Sequence, residues 1–147
     1  FTTGSAMNCS FHDIQGDAFD VSGSHVSISD SYFANIADKA ISAGEGSAIT
    51  LENLVIRNVN IGIASKDLSL VRVSNSLIDT AHVVGLAAYI KKPQYGPAMI
   101  EANELELLNT AVPAICQTDS EIILNGESIP TENIDVDAMY TQGILGK

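Results

Sequence analysis

The stretch NLVIRNVNIGIASKDLSLVRVS, residues 53–74, decides how this chain folds. Three short alternating runs lie within it. In the first, Leu54 and Ile56 face one way and Val55 and Arg57 the other. Next, Ile63 opposes Ala64, and then Val71 and Val73 oppose Arg72. Asn, Gly, Ser and Asp bound the runs, so each reads as a short half-buried strand between turns.

The same line recurs along the chain. Lines begin at Asn8, Asp30, Asn53 and Asn75, at spacings of 22, 23 and 22 residues. A second column of small-then-large pairs agrees: Ala18-Phe19, Ala40-Ile41, Gly62-Ile63, Gly85-Leu86 and Ala114-Ile115. A third holds Ile28, Leu51, Val73, Ala102 and Leu124. The last two columns each lengthen by about seven residues between Gly85 and Ala102, which marks an insertion around YIKKPQYGP, residues 89–97.

A period near 22 with three strands per period predicts an all-β, right-handed parallel β-helix, or β-solenoid. It has about six coils of ~22 residues, three short strands in each, stacked roughly 4.8 Å apart. The column Asp13, Asn35, Asn58, Thr80 and Asn109 sits at a strand end, where Asn and Asp tolerate left-handed backbone and can bond between coils. LENLVIRNVNIGIA, residues 51–64, loosely mimics a leucine-rich repeat, but SKDLSLVRVS, residues 65–74, brings no helical spacing. TAHVVGLAAYI, residues 80–90, keeps its Gly85-Leu86 pair in register and is read as strand.

Residues 1–147 read as one β-helix domain or a fragment of a longer one, with regular coils over 7–125 and an irregular last coil or cap over 126–147. The end at Phe1 to Ala6 lacks any comparable cover, so neighbouring coils, a domain or a subunit are expected to lie over it. Cys9 and Cys116 fall about four coils apart, roughly 19 Å along the axis, beyond the ~7 Å a disulfide allows.

Composition narrows the partners. Eighteen acidic and seven basic residues give a net charge of −11, which repels a phosphate backbone and excludes nucleic acid. No apolar run reaches the ~18 residues of a membrane span. His12, His25 and His82 fall in different columns, so neither a metal site nor a cofactor is expected.

These repeats resemble the right-handed parallel β-helix superfamily, which includes pectate lyases, polygalacturonases and Asn-rich parallel β-helix repeat proteins. The resemblance covers about residues 7–125. DKAISAGEGS, IGIASKDLS and GLAAYIKKPQYG, residues 38–47, 61–69 and 85–96, are similar to bacterial β-helix proteins that often accompany spore-coat-H-type or lamin-tail-like modules. The polygalacturonase motifs Asn-Thr-Asp, Asp-Asp, Gly-His-Gly and Arg-Ile-Lys are missing here. The arginines are Arg57 and Arg72, and neither stands in the Arg-x-Pro-x-x-Arg context of pectate lyases.

Stacking places Lys66 beside Tyr89 in one outward column and Glu45 beside Asp67 in the next. The insertion leaves directly afterwards, carrying Lys91, Lys92 and Tyr95 over the Lys66 and Asp67 turn. Glu45, Lys66, Asp67, Tyr89, Lys91, Lys92 and Tyr95 are therefore the candidate ligand-binding residues, suited to an acidic or neutral glycan. Two carboxylates fall short of the six to eight oxygens calcium takes. The expected function is an extracellular or cell-surface β-helix module that binds carbohydrate or serves surface architecture. The alternative is a polysaccharide-active lyase, hydrolase or epimerase, with Glu45 and Asp67 as acid and base or Lys66 and Tyr89 performing β-elimination on a uronate.

Overall fold

The computed structural model describes residues 1–146; Lys147, the last residue of the expected terminal cap, lies outside the described residues. The first coil is built from β1 (Thr3–Met7), β2 (Ser10–Ile14) and β3 (Phe19–Ser22). All three pair in parallel with β4 (His25–Gly44). Then β5 (Ala48–Lys66), β6 (Leu70–Tyr89) and β7 (Met99–Leu108) follow, each parallel to the one before. β8 (Ala114–Cys116) pairs with β6, and β9 (Glu121–Leu124) with β7. The result is a β-solenoid of about six turns.

The three strands expected in each coil are joined differently from plain loops. β4, β5 and β6 are single ladders of 19 or 20 residues bent around the axis. Each bend turns on one residue with positive φ. Asp30, Asn53 and Asn75 form one corner at 48° to 52°, and Asn35, Asn58 and Thr80 another at 52° to 66°. Asn and Asp hold this conformation at low cost because their short polar side chains bond locally. At the second corner the side chains bond between coils: Asn35 Nδ2 donates to Asp13 Oδ1 at 2.9 Å, and Asn58 Nδ2 to Asn35 Oδ1 at 2.8 Å. His82 Nε2 meets Asn58 Oδ1 at 2.8 Å, where Thr80 is too short to continue the ladder.

Alternation decides what is buried. Leu54, Ile56, Ile63, Val71 and Val73 are at most 2% exposed and share one core with their partners in neighbouring coils. The pairs Ile28 with Leu51, Leu51 with Val73, Val73 with Ala102 and Ala102 with Leu124 reproduce the column read from the sequence. The small-residue column has a steric cause: a Cβ on Gly62 would stand 2.5 Å from the Gly85 carbonyl oxygen. One pairing differs from expectation. Leu86 lies against Ala114 rather than Ile115. Gly85 N–H donates to the Val112 oxygen and Leu86 N–H to that of Pro113, so Pro113 takes the slot assigned to Ala114. The slot demands close backbone approach, which the Pro113 carbonyl meets without a small side chain.

The terminal segment does more than close an end. β10 (Glu127–Ser128) folds back antiparallel on β9, and Glu132 bridges to Gln117. The chain then runs back along the outside of the solenoid through a short helix, α1 (Val136–Thr141), whose N-cap Asp135 accepts from the Ala138 N–H. Val136, Met139, Tyr140 and Leu145 pack on outward-facing Ile61, Ala64, Val84, Ala87 and Tyr89 as a second apolar cluster. Residues 133–146 thus form a strap across one flank. Both cysteines are free thiols.

Candidate functional site

The insertion lies where its spacing placed it, over the corner between β5 and β6. Pairing of β6 with β7 resumes in order on its far side, from Leu70 with Met99 onward. Several contacts pin it, Leu68 N–H to the Gly96 oxygen at 3.0 Å and Ile90 N–H to Gln117 Oε1 at 2.6 Å among them. Asp67, buried and with φ of 55°, turns its Oδ1 to the backbone N–H groups of Lys91 at 2.7 Å and Lys92 at 2.6 Å. Lys92 Nζ forms an ion pair with Glu45 Oε1. The hydrogen bond to Glu45 holds the Lys92 ammonium above the usual lysine range. Glu45, Asp67 and Lys92 therefore do meet, but chiefly to hold the loop to the coils.

Tyr89 departs from its expected setting. Its side chain does leave the coil outward beside Lys66, yet it is fully buried because the strap covers it. Its hydroxyl and that of Tyr140 are 2.7 Å apart, with the rings edge to face at 6.1 Å. Burial raises the Tyr89 phenol well above its ordinary range, so it stays protonated in neutral solution. Lys91 Nζ sits 4.1 Å from the centre of the Tyr140 ring on the outer side. The aromatic face offered to a ligand by the sequence is a packing surface for α1.

A buried cation completes the flank, and it went unread in the sequence. Lys39 is 3% exposed, with its ammonium 2.8 Å from Asp38 Oδ1 and 3.3 Å from Asp17 Oδ1. Burial pushes this ammonium down, but the Asp38 hydrogen bond and the charges of Asp17 and Asp38 outweigh it and raise it above an ordinary lysine. Asp17 and Lys39 stand 22 residues apart, and that spacing was the available signal.

The right-handed β-helix region matches this chain over residues 2–129. The chain belongs to the right-handed β-helix family. No curated protein and no solved structure gives a significant match.

Within this β-helix, Lys66 differs from the other candidate cations. It is half-buried, and its Cε lies 3.7 Å from where a Cβ on Gly44 would stand. No side-chain hydrogen bond or ion pair joins it among the described residues. Burial lowers its ammonium; Asp20 and Asp17 oppose this, while Lys39 and Lys91 add to it. Tyr95 is exposed at the tip of the insertion. Among the described residues no three His, Cys, Asp or Glu side chains converge as a metal site. No helix among them is long and apolar enough to cross a membrane.

Proposed function

We propose that this β-helix is a non-catalytic architectural module, working outside the cell or at its surface. One observation carries the reading: the groups that would do chemistry are engaged in holding structure together. The Asp67 oxygen binds two backbone N–H groups, Glu45 is paired with Lys92, and the Tyr89 phenol is buried against Tyr140. An acid and base need a free carboxyl and a reachable carboxylate, and β-elimination needs a phenol that meets the substrate. Neither pair offers this. The surface location draws on the resemblance of residues 38–47, 61–69 and 85–96 to bacterial β-helix proteins that accompany spore-coat-H-type modules.

Carbohydrate binding is a second reading, favoured by Lys66 and Tyr95. The first is a half-buried cation with no fixed partner among the described residues, and the second an exposed ring at the loop tip. Incubation with uronate-containing polymers tests the main proposal. No unsaturated, ultraviolet-absorbing product is expected, and formation of one that disappears with Lys66→Ala would reject the non-catalytic reading. Calorimetric titration with the same polymers tests the second, with heat expected from the unmodified chain and lost in Lys66→Ala.

A further inference from the structure

The hairpin that follows the last parallel strand carries a chemically labile pair. Asn125 and Gly126 join β9 to β10, with φ of 51° and 85°. Left-handed backbone at both positions is the type I′ turn that Asn-Gly favours. This is the one Asn-Gly pair in the chain; every other Asn is followed by Cys, Ile, Leu, Val, Ser, Glu or Thr. A glycine nitrogen is the least hindered backbone nucleophile, because no Cβ shields it. Both residues are exposed, beside an opening of about 500 Å³ that Asn103 and Glu104 also line. Water therefore reaches them.

The Asn125 side chain has a structural task. Its Oδ1 accepts from the Leu105 N–H at 3.0 Å, and its Nδ2 donates to the Leu105 carbonyl oxygen at 2.9 Å. Leu54 stands in the same column as Leu105, and there the N–H reaches Ser76 Oγ of the following coil at 3.0 Å. Beyond Leu105 the chain turns back into β10, and one side-chain amide closes both backbone groups. Asn125 is thus the lock of the cap.

We propose that Asn125 is a site of spontaneous modification: the closed cap restrains it, and its conversion to an aspartyl or isoaspartyl residue unlocks the cap. The inference holds whether or not the flank binds a glycan. The Gly126 nitrogen gives its proton to hydroxide and attacks Asn125 Cγ. A C–N bond forms to close a cyclic imide, the bond to Nδ2 breaks, and ammonia leaves with a proton taken from water. Water then opens the imide at either carbonyl, so the net change is amide plus water to acid plus ammonia. Ring closure requires the side chain to leave Leu105 and the turn to relax, so it proceeds through molecules whose cap has opened. Reclosure is then impaired. A carboxylate has no donor for the Leu105 oxygen, and it faces the same opening as Glu104. An isoaspartyl link also lengthens the main chain within the turn that sets the β9 to β10 register.

Peptide mapping by mass spectrometry tests this on the full chain at mildly alkaline pH, folded and in urea, by scoring peptides heavier by the difference between water and ammonia. Position 125 is expected to convert first among the Asn residues in both states, and on the order of tenfold or more slowly in the folded one. Ile129 packs against the core, so Ile129→Ala loosens the cap. It should bring the folded rate several-fold nearer the urea rate, with β4 to β6 still protected from hydrogen exchange. Asn125→Asp supplies the aspartyl product directly. It should speed exchange of the Ile129 N–H, which donates to the Ile122 oxygen at 2.9 Å, on the order of tenfold. Another Asn converting first, equal rates folded and in urea, or no conversion of the folded chain over several weeks would each overturn the proposal. So would an unmoved rate in Ile129→Ala or unmoved exchange in Asn125→Asp.

Discussion

Asp67 accepts a hydrogen bond from the backbone N–H of Lys92 at 2.6 Å, and the same oxygen takes the N–H of Lys91. One carboxylate in a left-handed corner therefore anchors the start of an inserted loop 24 residues further along. Asp67→Ala strands both donors and places Ala in the left-handed region, so unfolding in urea should show a loss of about 1 to 3 kcal/mol. Asp67→Asn keeps an acceptor oxygen and tolerates the conformation, and should cost distinctly less. Lys92→Ala breaks only a partly exposed ion pair and should cost no more than about 1 kcal/mol. Equal effects of Asp67→Ala and Lys92→Ala would show that the ion pair, not the backbone contacts, secures the loop.

The strap should detach as a unit. Tyr140→Ala removes the ring that covers Tyr89 and carries Lys91, and should make residues 133–146 a site of limited proteolysis while the solenoid stays folded. Tyr140→Phe removes only the hydroxyl contact and should cost about 0.5 to 1.5 kcal/mol. The same change at Tyr89, combined with it, should add little, since both act on one hydrogen bond. Protease resistance in Tyr140→Ala would mean that Val136, Met139 and Leu145 suffice.

The small-residue column is where the stack is tightest. A Cβ at position 62 meets the Gly85 carbonyl oxygen at 2.5 Å and Ile78 Cδ1 at 2.8 Å; at position 85 it meets the Pro113 oxygen at 2.8 Å. Gly62→Ala and Gly85→Ala should each destabilise by about 1 to 3 kcal/mol. Gly16→Ala, where nothing lies within 4 Å, serves as the control and should be near neutral in the same denaturation series.

Lys39 makes stability depend on alkaline pH. Its ammonium titrates higher in the folded chain than in the unfolded one, where ~10.4 applies. The stabilisation is thus complete below that unfolded value and is lost as pH rises through the folded value. Lys39→Met removes the buried ammonium from beside Asp17 and Asp38 and should cost on the order of 3 kcal/mol at pH 7. The gap between variant and original should stay level from pH 7 to 9 and narrow above about 10.5. A gap that narrows already between pH 7 and 9 would point to a different titrating group.

The repeat was legible because the core of each coil is set by alternation, and alternation survives in the letters: Ile28, Leu51, Val73, Ala102 and Leu124 need no tertiary context to be aligned. The corner residues were legible for a similar reason, since Asn35 and Asn58 act through their own backbone. The strap was not, although its signals exist. Ile61, Ala64, Val84 and Ala87 are apolar on a face that would be polar if exposed. Val136, Met139 and Tyr140 follow an N-cap Asp135 at helical spacing. A six-residue helix is too short to declare itself, because it is held by the surface it covers. Tyr89 was misread for the same reason: its direction follows from the register, but its burial depends on residues about 50 positions away.

The corner after Tyr89 also separates chain length from side-chain phase. On any face of the solenoid, one extra residue would invert which side chains point inward from there on. Here the step from Leu70 to Met99 is 29 residues, against 22 from Ala48 to Leu70, and the pairing beyond it is undisturbed. Length can thus change at this position without a frame error in the core. Heritable gains and losses of residues should collect at this corner across the lineage, leaving neighbouring coils free to keep their pattern while the surface chemistry beside them diversifies.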